Sequence, residues 1–211
     1  IMFEAEGFTK PLVLDLFRLV SEQEHNYDYA LHYSGQFIRS DFNYECNARL
    51  KPLGENNGYQ HLWHQATAEV EGSSLITWLQ GNSYYTMVSS AVANSQVIMA
   101  RTGANDPDFN LRSEPVLLLR QQGKDHLFAN VFETHGYFNE AIEASTEARG
   151  QVVSVEVLAH NKVASAVAIQ LVSGKQITVC VSNQANVKSD TQHQLEINGE
   201  TIRWSGAVHI A

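Results

Sequence analysis

Apolar and polar residues alternate with a period of two along much of the chain, as strands with one buried face do. Residues 27–33 show this most clearly: Tyr27, Tyr29, Leu31 and Tyr33 fall on one face, Asp28, Ala30 and His32 on the other. Further strands are predicted over residues 12–20, 96–101, 116–120, 127–133 and 152–158. Three hairpins follow from turn chemistry. They join 75–79 to 84–90 through Gly81-Asn82, 163–172 to 176–181 through Ser173-Gly174-Lys175, and 195–197 to 201–204 through Asn198-Gly199. The last is the strongest local signal, because a type I′ turn needs positive φ at both central positions and Asn-Gly tolerates it. Helical patterning is thin. Residues 138–148 carry Ala and Glu at helical density, but Phe138, Ile142 and Ala148 make a poor apolar stripe, which predicts a loop with at most one turn.

These elements add up to an all-β protein, an antiparallel β-sandwich of two packed sheets. No linker-like stretch divides residues 1–211, so one domain is expected. At 44% hydrophobic and 18% charged residues the chain can bury a real core. No stretch approaches the roughly 20 apolar residues of a membrane-spanning helix. A formal charge of −9 lacks the footprint of a nucleic-acid binder. Two cysteines, Cys46 and Cys180, exclude a disulfide-rich scaffold and a four-cysteine zinc site. The first residue is Ile1, and an apolar strand follows almost at once, so the chain reads as a fragment or a processed piece of something longer.

Candidate chemistry is sparse. His61 and His64 have an H-x-x-H spacing, but on a strand an odd offset sends the rings to opposite faces, away from a shared metal. On that strand Tyr59, His61 and Trp63 share a face, for core packing or for lying under a sugar ring. Asp106, Asp108 and Asn110 resemble the start of a calcium loop, yet Leu111 and Leu117 stand where the Gly and Glu belong, so a structural turn is expected. Arg101, Arg112 and Arg120 bracket that loop, and arginines are the usual carboxylate grip. His135 and Tyr137 lie together at a strand end, as an acid and a base would. The spacing of these residues yields no catalytic constellation.

Longer strings say more. Residues 11–18 (PLVLDLFR), 32–36 (HYSGQ), 58–63 (GYQHLW), 101–112 (RTGANDPDFNLR), 114–120 (EPVLLLR) and 132–136 (FETHG) together resemble the C-terminal part of the heparinase II/III-like polysaccharide lyases. The match lies closest to the alginate and oligoalginate lyases of polysaccharide lyase family 17. It covers about residues 11–136; beyond them only the strand pattern continues. The resemblance implies an enzyme with an α/α toroid followed by a large β-sandwich, cleaving uronate chains by β-elimination. It places the catalytic Tyr and His in the toroid, and a structural zinc on His and Asp of the early sandwich. Neither motif is present here, so no catalytic residue, metal ligand or cofactor is assigned to this chain, which alone is expected to be inactive.

The implied partners are the upstream part of the enzyme and an alginate oligosaccharide, with self-association left open. Arg101, Arg112, Trp63 and Trp78 are the candidate substrate-binding residues. A periplasmic or secreted location is expected, a cytoplasmic one being open to enzymes that degrade oligomers. The competing expectation is a non-catalytic carbohydrate-binding β-sandwich, with Tyr59, Trp63, Trp78 and Tyr84 as stacking platforms.

Overall fold

The computed structural model describes residues 1–106, 108 and 112–211. Its strands are β1 (Met2–Phe3), β2 (Leu12–His32), β3 (Gln36–Ser40), β4 (Glu45–Pro52), β5 (Leu62–Gln80), β6 (Ser83–Thr102), β7 (Pro115–His135), β8 (Tyr137–Asn139) and β9 (Ala144–Thr146). They continue with β10 (Val152–His160), β11 (Ala164–Leu171), β12 (Gln176–Ser182), β13 (Gln192–Ile197), β14 (Glu200–Ser205) and β15 (Val208–Ile210). The only helical turn among the described residues is a 3₁₀ turn at Tyr59–His61. No helix among them is long and apolar enough to cross a membrane. The all-β antiparallel class expected from the alternation is the observed one.

The large sheet runs β1-β2-β7-β6-β5-β3, with β4 also paired to β5. Its four long strands have 19 to 21 residues each, and none is straight. Register breaks fall between Val20 and His25 in β2, Val70 and Gly72 in β5, and Ser89 and Gln96 in β6. Together they form a crease across the sheet, as bulges do when they bend strands. A straight strand would hold Asp15 and Tyr29 about 46 Å apart. Instead the Tyr29 hydroxyl donates to the Asp15 carboxylate at 2.7 Å. The sheet therefore folds back on itself into an outer half (25–32, 62–70, 95–102, 115–123) and an inner half (12–20, 72–80, 83–91, 125–135).

The two halves pack against each other, and the inner one also packs against a second sheet. Between the two halves lie Ala68, Val70, Val97, Leu117 and Leu119 from the outer one and Ile76, Trp78, Met87 and Phe128 from the inner one. The other face of the inner half packs Leu14, Leu75, Val88 and Val131 against Val155, Val167, Ile169 and Val179 of the second sheet, β10-β11-β12-β15. That second sheet is capped in turn by the β13–β14 hairpin, through Leu195, Ile197 and Trp204 on Ala164, Ala166 and Cys180. β11, buried on both faces, accordingly reads ASAVAIQL without alternation.

Structure and expectation part in three places. The strands expected at 12–20 and 27–33 are halves of β2, those at 116–120 and 127–133 are halves of β7, and those at 84–90 and 96–101 are halves of β6. The polar residues between them bend the chain without ending the strand. The expected loop at 138–148 contains the short β8–β9 hairpin. Tyr59 and His61 belong to the 3₁₀ turn, after Asn57 and Gly58 with positive φ, so they do not share a strand face with Trp63.

Candidate binding cleft

Where the folded sheet opens, β4, β5, β6 and β7 end in one register row: Pro52 pairs with Trp63, Trp63 with Arg101, and Arg101 with Pro115. The row is extended by Tyr33, whose N–H donates to the Pro115 carbonyl at 3.3 Å. Beside it lies a cleft of about 540 Å³, lined by Tyr33, Phe37, Tyr44, Gln65 and Arg101 among others. Its floor is aromatic. The Tyr33 ring sits 5.2 Å from that of Trp78, which stacks on Tyr85 at 5.6 Å, and Phe37 meets Tyr44 edge to face. Gly35 lets the chain turn tightly against β5: a Cβ there would stand 2.1 Å from the Leu79 carbonyl oxygen.

The cleft's chemistry rests on Arg101. Its guanidinium donates to the Ser113 carbonyl at 2.7 Å, which fixes its direction. It makes no ion pair among the described residues. Arg18 and Arg120, by contrast, are spent on Asp125 and Asp28 at 2.6 and 2.7 Å. Burial raises the Tyr33 hydroxyl above the usual phenol range against the opposing pull of Arg101, so it remains a donor at neutral pH. An arginine fork, a phenol donor and apolar ring faces suit a carboxylated sugar: the charge meets the fork and the ring's C–H face meets the aromatics.

Two other hollows are less suited. At the crease, about 660 Å³ opens between β10 and the bent sheet, with His126 and His160 within it and Glu71 and Glu156 along it. Burial, then the nearby His160, pull the His126 imidazole down to about 4, against Asp125. A neutral imidazole among carboxylates does not attract a polyanion. A third, of about 410 Å³, lies on the exposed side of the outer half near Asp28, His32, Tyr59 and His61. There Arg120 grips Asp28 with two hydrogen bonds at 2.7 Å, and Tyr59 donates to the same carboxylate. That charge is already neutralised.

The remaining sequence candidates are distributed as follows. Trp63 is half-buried as the cross-strand neighbour of Arg101 in the row, outside the set of residues that line the cleft. Trp78 and Tyr84 are only 6% and 4% exposed, so neither offers the open ring face that stacking requires. Arg112 is exposed and does not line the cleft. His61 meets the Ala104 carbonyl and His64 the Thr67 hydroxyl, so their ring nitrogens turn to different partners. His135 is held between the Thr86 hydroxyl and the Glu147 carbonyl, both at 2.8 Å, while Tyr137 is exposed on β8. Both ring nitrogens of His135 are thus engaged by structural partners. The Asp106 carboxylate accepts from the Asp108 N–H, the expected Asp turn; Asn110 lies outside the described residues. Among those residues no three His, Cys, Asp or Glu side chains are grouped to hold a metal.

Tyr33, Phe37 and Tyr44 were not singled out from the sequence as site residues. Tyr33 appeared only as the end of an alternation, and its meeting with Arg101 depends on register between strands about 70 residues apart in sequence.

No family model matches the chain. It is 34% identical, over 93% of its length, to an alginate lyase of Stenotrophomonas maltophilia (strain K279a). It is likewise 34% identical, over 98% of its length, to an exo-oligoalginate lyase of Saccharophagus degradans (strain 2-40). The chain spans about a quarter of these curated relatives, 26% and 28% of their lengths.

Proposed function

We propose that this chain is the C-terminal sandwich portion of a lyase acting on alginate or its oligomers, of heparinase II/III-like architecture, and that its cleft holds a uronate residue of the substrate. The carrying observation is the 34% identity to two alginate lyases along nearly the whole chain. Arg101 supports the binding role, as an arginine at an aromatic cleft without an ion-pair partner among the described residues.

The chemistry to be served is a β-elimination. A base removes the C5 proton of the uronate, whose acidity rises once its carboxylate is neutralised, and an acid protonates the departing glycosidic oxygen. In this reading those groups stand outside the chain, on the toroid, as would the structural zinc, and the chain supplies support and grip. Export to the periplasm or beyond the cell suits an enzyme meeting an extracellular polymer.

The test compares the 211-residue chain with the longer enzyme on alginate oligomers, following the ultraviolet absorbance of unsaturated uronate. Product from the longer enzyme alone supports the reading, and product from the isolated chain overturns it. The rings of Tyr33, Phe37 and Tyr44 favour a second reading, a carbohydrate-binding sandwich without chemistry. It predicts oligomer binding by the isolated chain and no product from either protein.

A further inference from the structure

The strand edges of the molecule are unequally protected. β3 and β4 are short, bulged between Phe37 and Arg39 and between Cys46 and Lys51, and carry Arg39, Arg49 and Lys51. β10 is broken by two bulges, and β15 has three residues. These are the devices by which proteins blunt an edge. β2 differs. It pairs with β7 on one side along both of its halves, but on the other side meets, among the described residues, only β1, at Val13 and Leu12.

The pairing pattern shows what is left open. Leu14 accepts from the amino group of Ile1 and donates to the Ile1 carbonyl, both at 2.8 Å. Backbone groups along a strand point alternately to its two sides, so Leu16, Arg18 and Val20 aim their N–H and C=O away from β7. None of these six groups has a hydrogen bond to another element among the described residues. Along the same edge Met2 is 72% exposed, Val13 38%, Phe17 42% and Val20 57%. Met2 and Val13 are cross-strand partners, and Phe17 follows Val13 on the same face. A row of open backbone groups beside an apolar strip is a template for one more strand.

We infer that the stretch of β2 from Leu16 to Val20 is an interface completed by a β-strand from the part of the lyase outside this chain, laid against β2 where β1 stops. This rests on the chain being a portion of a longer lyase. The occupant is chosen on length, because each relative has about three times this chain's length beyond the matched segment. It fits the edge as well: β1 already covers the first three positions, so an arriving strand abuts β1 without displacing it, and its side chains cover Phe17.

The test is hydrogen exchange on the amides of Leu16, Arg18 and Val20 in the full-length enzyme and in the 211-residue chain. The inference expects exchange at least about tenfold slower in the full-length enzyme. Equal, rapid exchange in both overturns it. So does slow exchange in the isolated chain accompanied by a dimer in light scattering, which would make a second copy the occupant. Val20→Pro gives an independent readout, since proline is tolerated on a free edge but removes a bond from a paired one. It should lower the melting temperature of the full-length enzyme by several degrees and leave that of the isolated chain nearly unchanged; equal shifts overturn the inference. Neither readout uses catalysis, so an inactive full-length protein would refute the lyase reading without touching this result.

Discussion

On one face of the inner half-sheet, Leu75, Val88 and Val131 meet Val155, Val167 and Ile169 of the second sheet; on the other, the same strands present Trp78, Met87 and Phe128. The first face is aliphatic, and its polar groups are satisfied at the margin, where buried Glu133 accepts from the N–H groups of Gln151 and Val152. The second face is rich in rings with polar tips and opens into the cleft beside Arg101. One set of strands thus carries a closed core and a surface with unspent donors. Aliphatic packing makes the scaffold rigid, and under the proposed function the aromatic side inherits that rigidity for recognition.

If the two faces are separable in this way, substitutions should sort by side. The largest effect is expected from Ile169→Ala, a fully buried truncation on the aliphatic face. It should cost about 2–5 kcal/mol in urea denaturation and leave oligouronate affinity in the still-folded protein unchanged. A parallel loss of affinity would show that the faces are coupled. Next is Glu133→Ala, which strips the acceptor from two backbone donors and should cost about 2–3 kcal/mol without altering the cleft. Trp63→Ala should be smaller on stability, because the ring is half-buried, and should weaken oligouronate binding by about threefold to tenfold, read by calorimetry.

The smallest expected effect is on pH dependence. The folded His126 lies at about 4, below its ordinary 6.5, mainly through burial. Below pH 6.5 the unfolded chain binds a proton that the folded one refuses, so stability is complete above pH 6.5 and is lost as the pH falls toward 4. Partial exposure keeps the loss modest. Replacing His126 with Asn should flatten the melting temperature between pH 6.5 and 4, and an unchanged slope would remove His126 from the account.

The hairpins were legible because their turn residues carry the geometry locally. Asn198 and Gly199 do adopt φ of 52° and 85°, and β13 and β14 pair around them. The folded-back sheet was not legible. Its crease is built of residues such as Glu22, Glu24, Lys124 and Asp125, which read as loop, and nothing local says that the strand resumes in the same sheet. Arg101 and Trp63 stood out by residue type. Their union with Tyr33 did not, because it depends on β5, β6 and β7 ending in one row. Trp78 stood out for the same reason as Trp63 and is buried instead, since a tryptophan on a strand reads alike on either side of the surface.

The most direct measurement is a calorimetric titration of the 211-residue chain with an alginate oligomer and with a neutral glucan oligomer of equal length, repeated on Arg101→Ala. The account predicts binding of the uronate oligomer over the neutral one. It also predicts a loss of about tenfold or more on Arg101→Ala, with the melting temperature unchanged. Equal affinity for the two sugars, or uronate binding indifferent to Arg101, would contradict it.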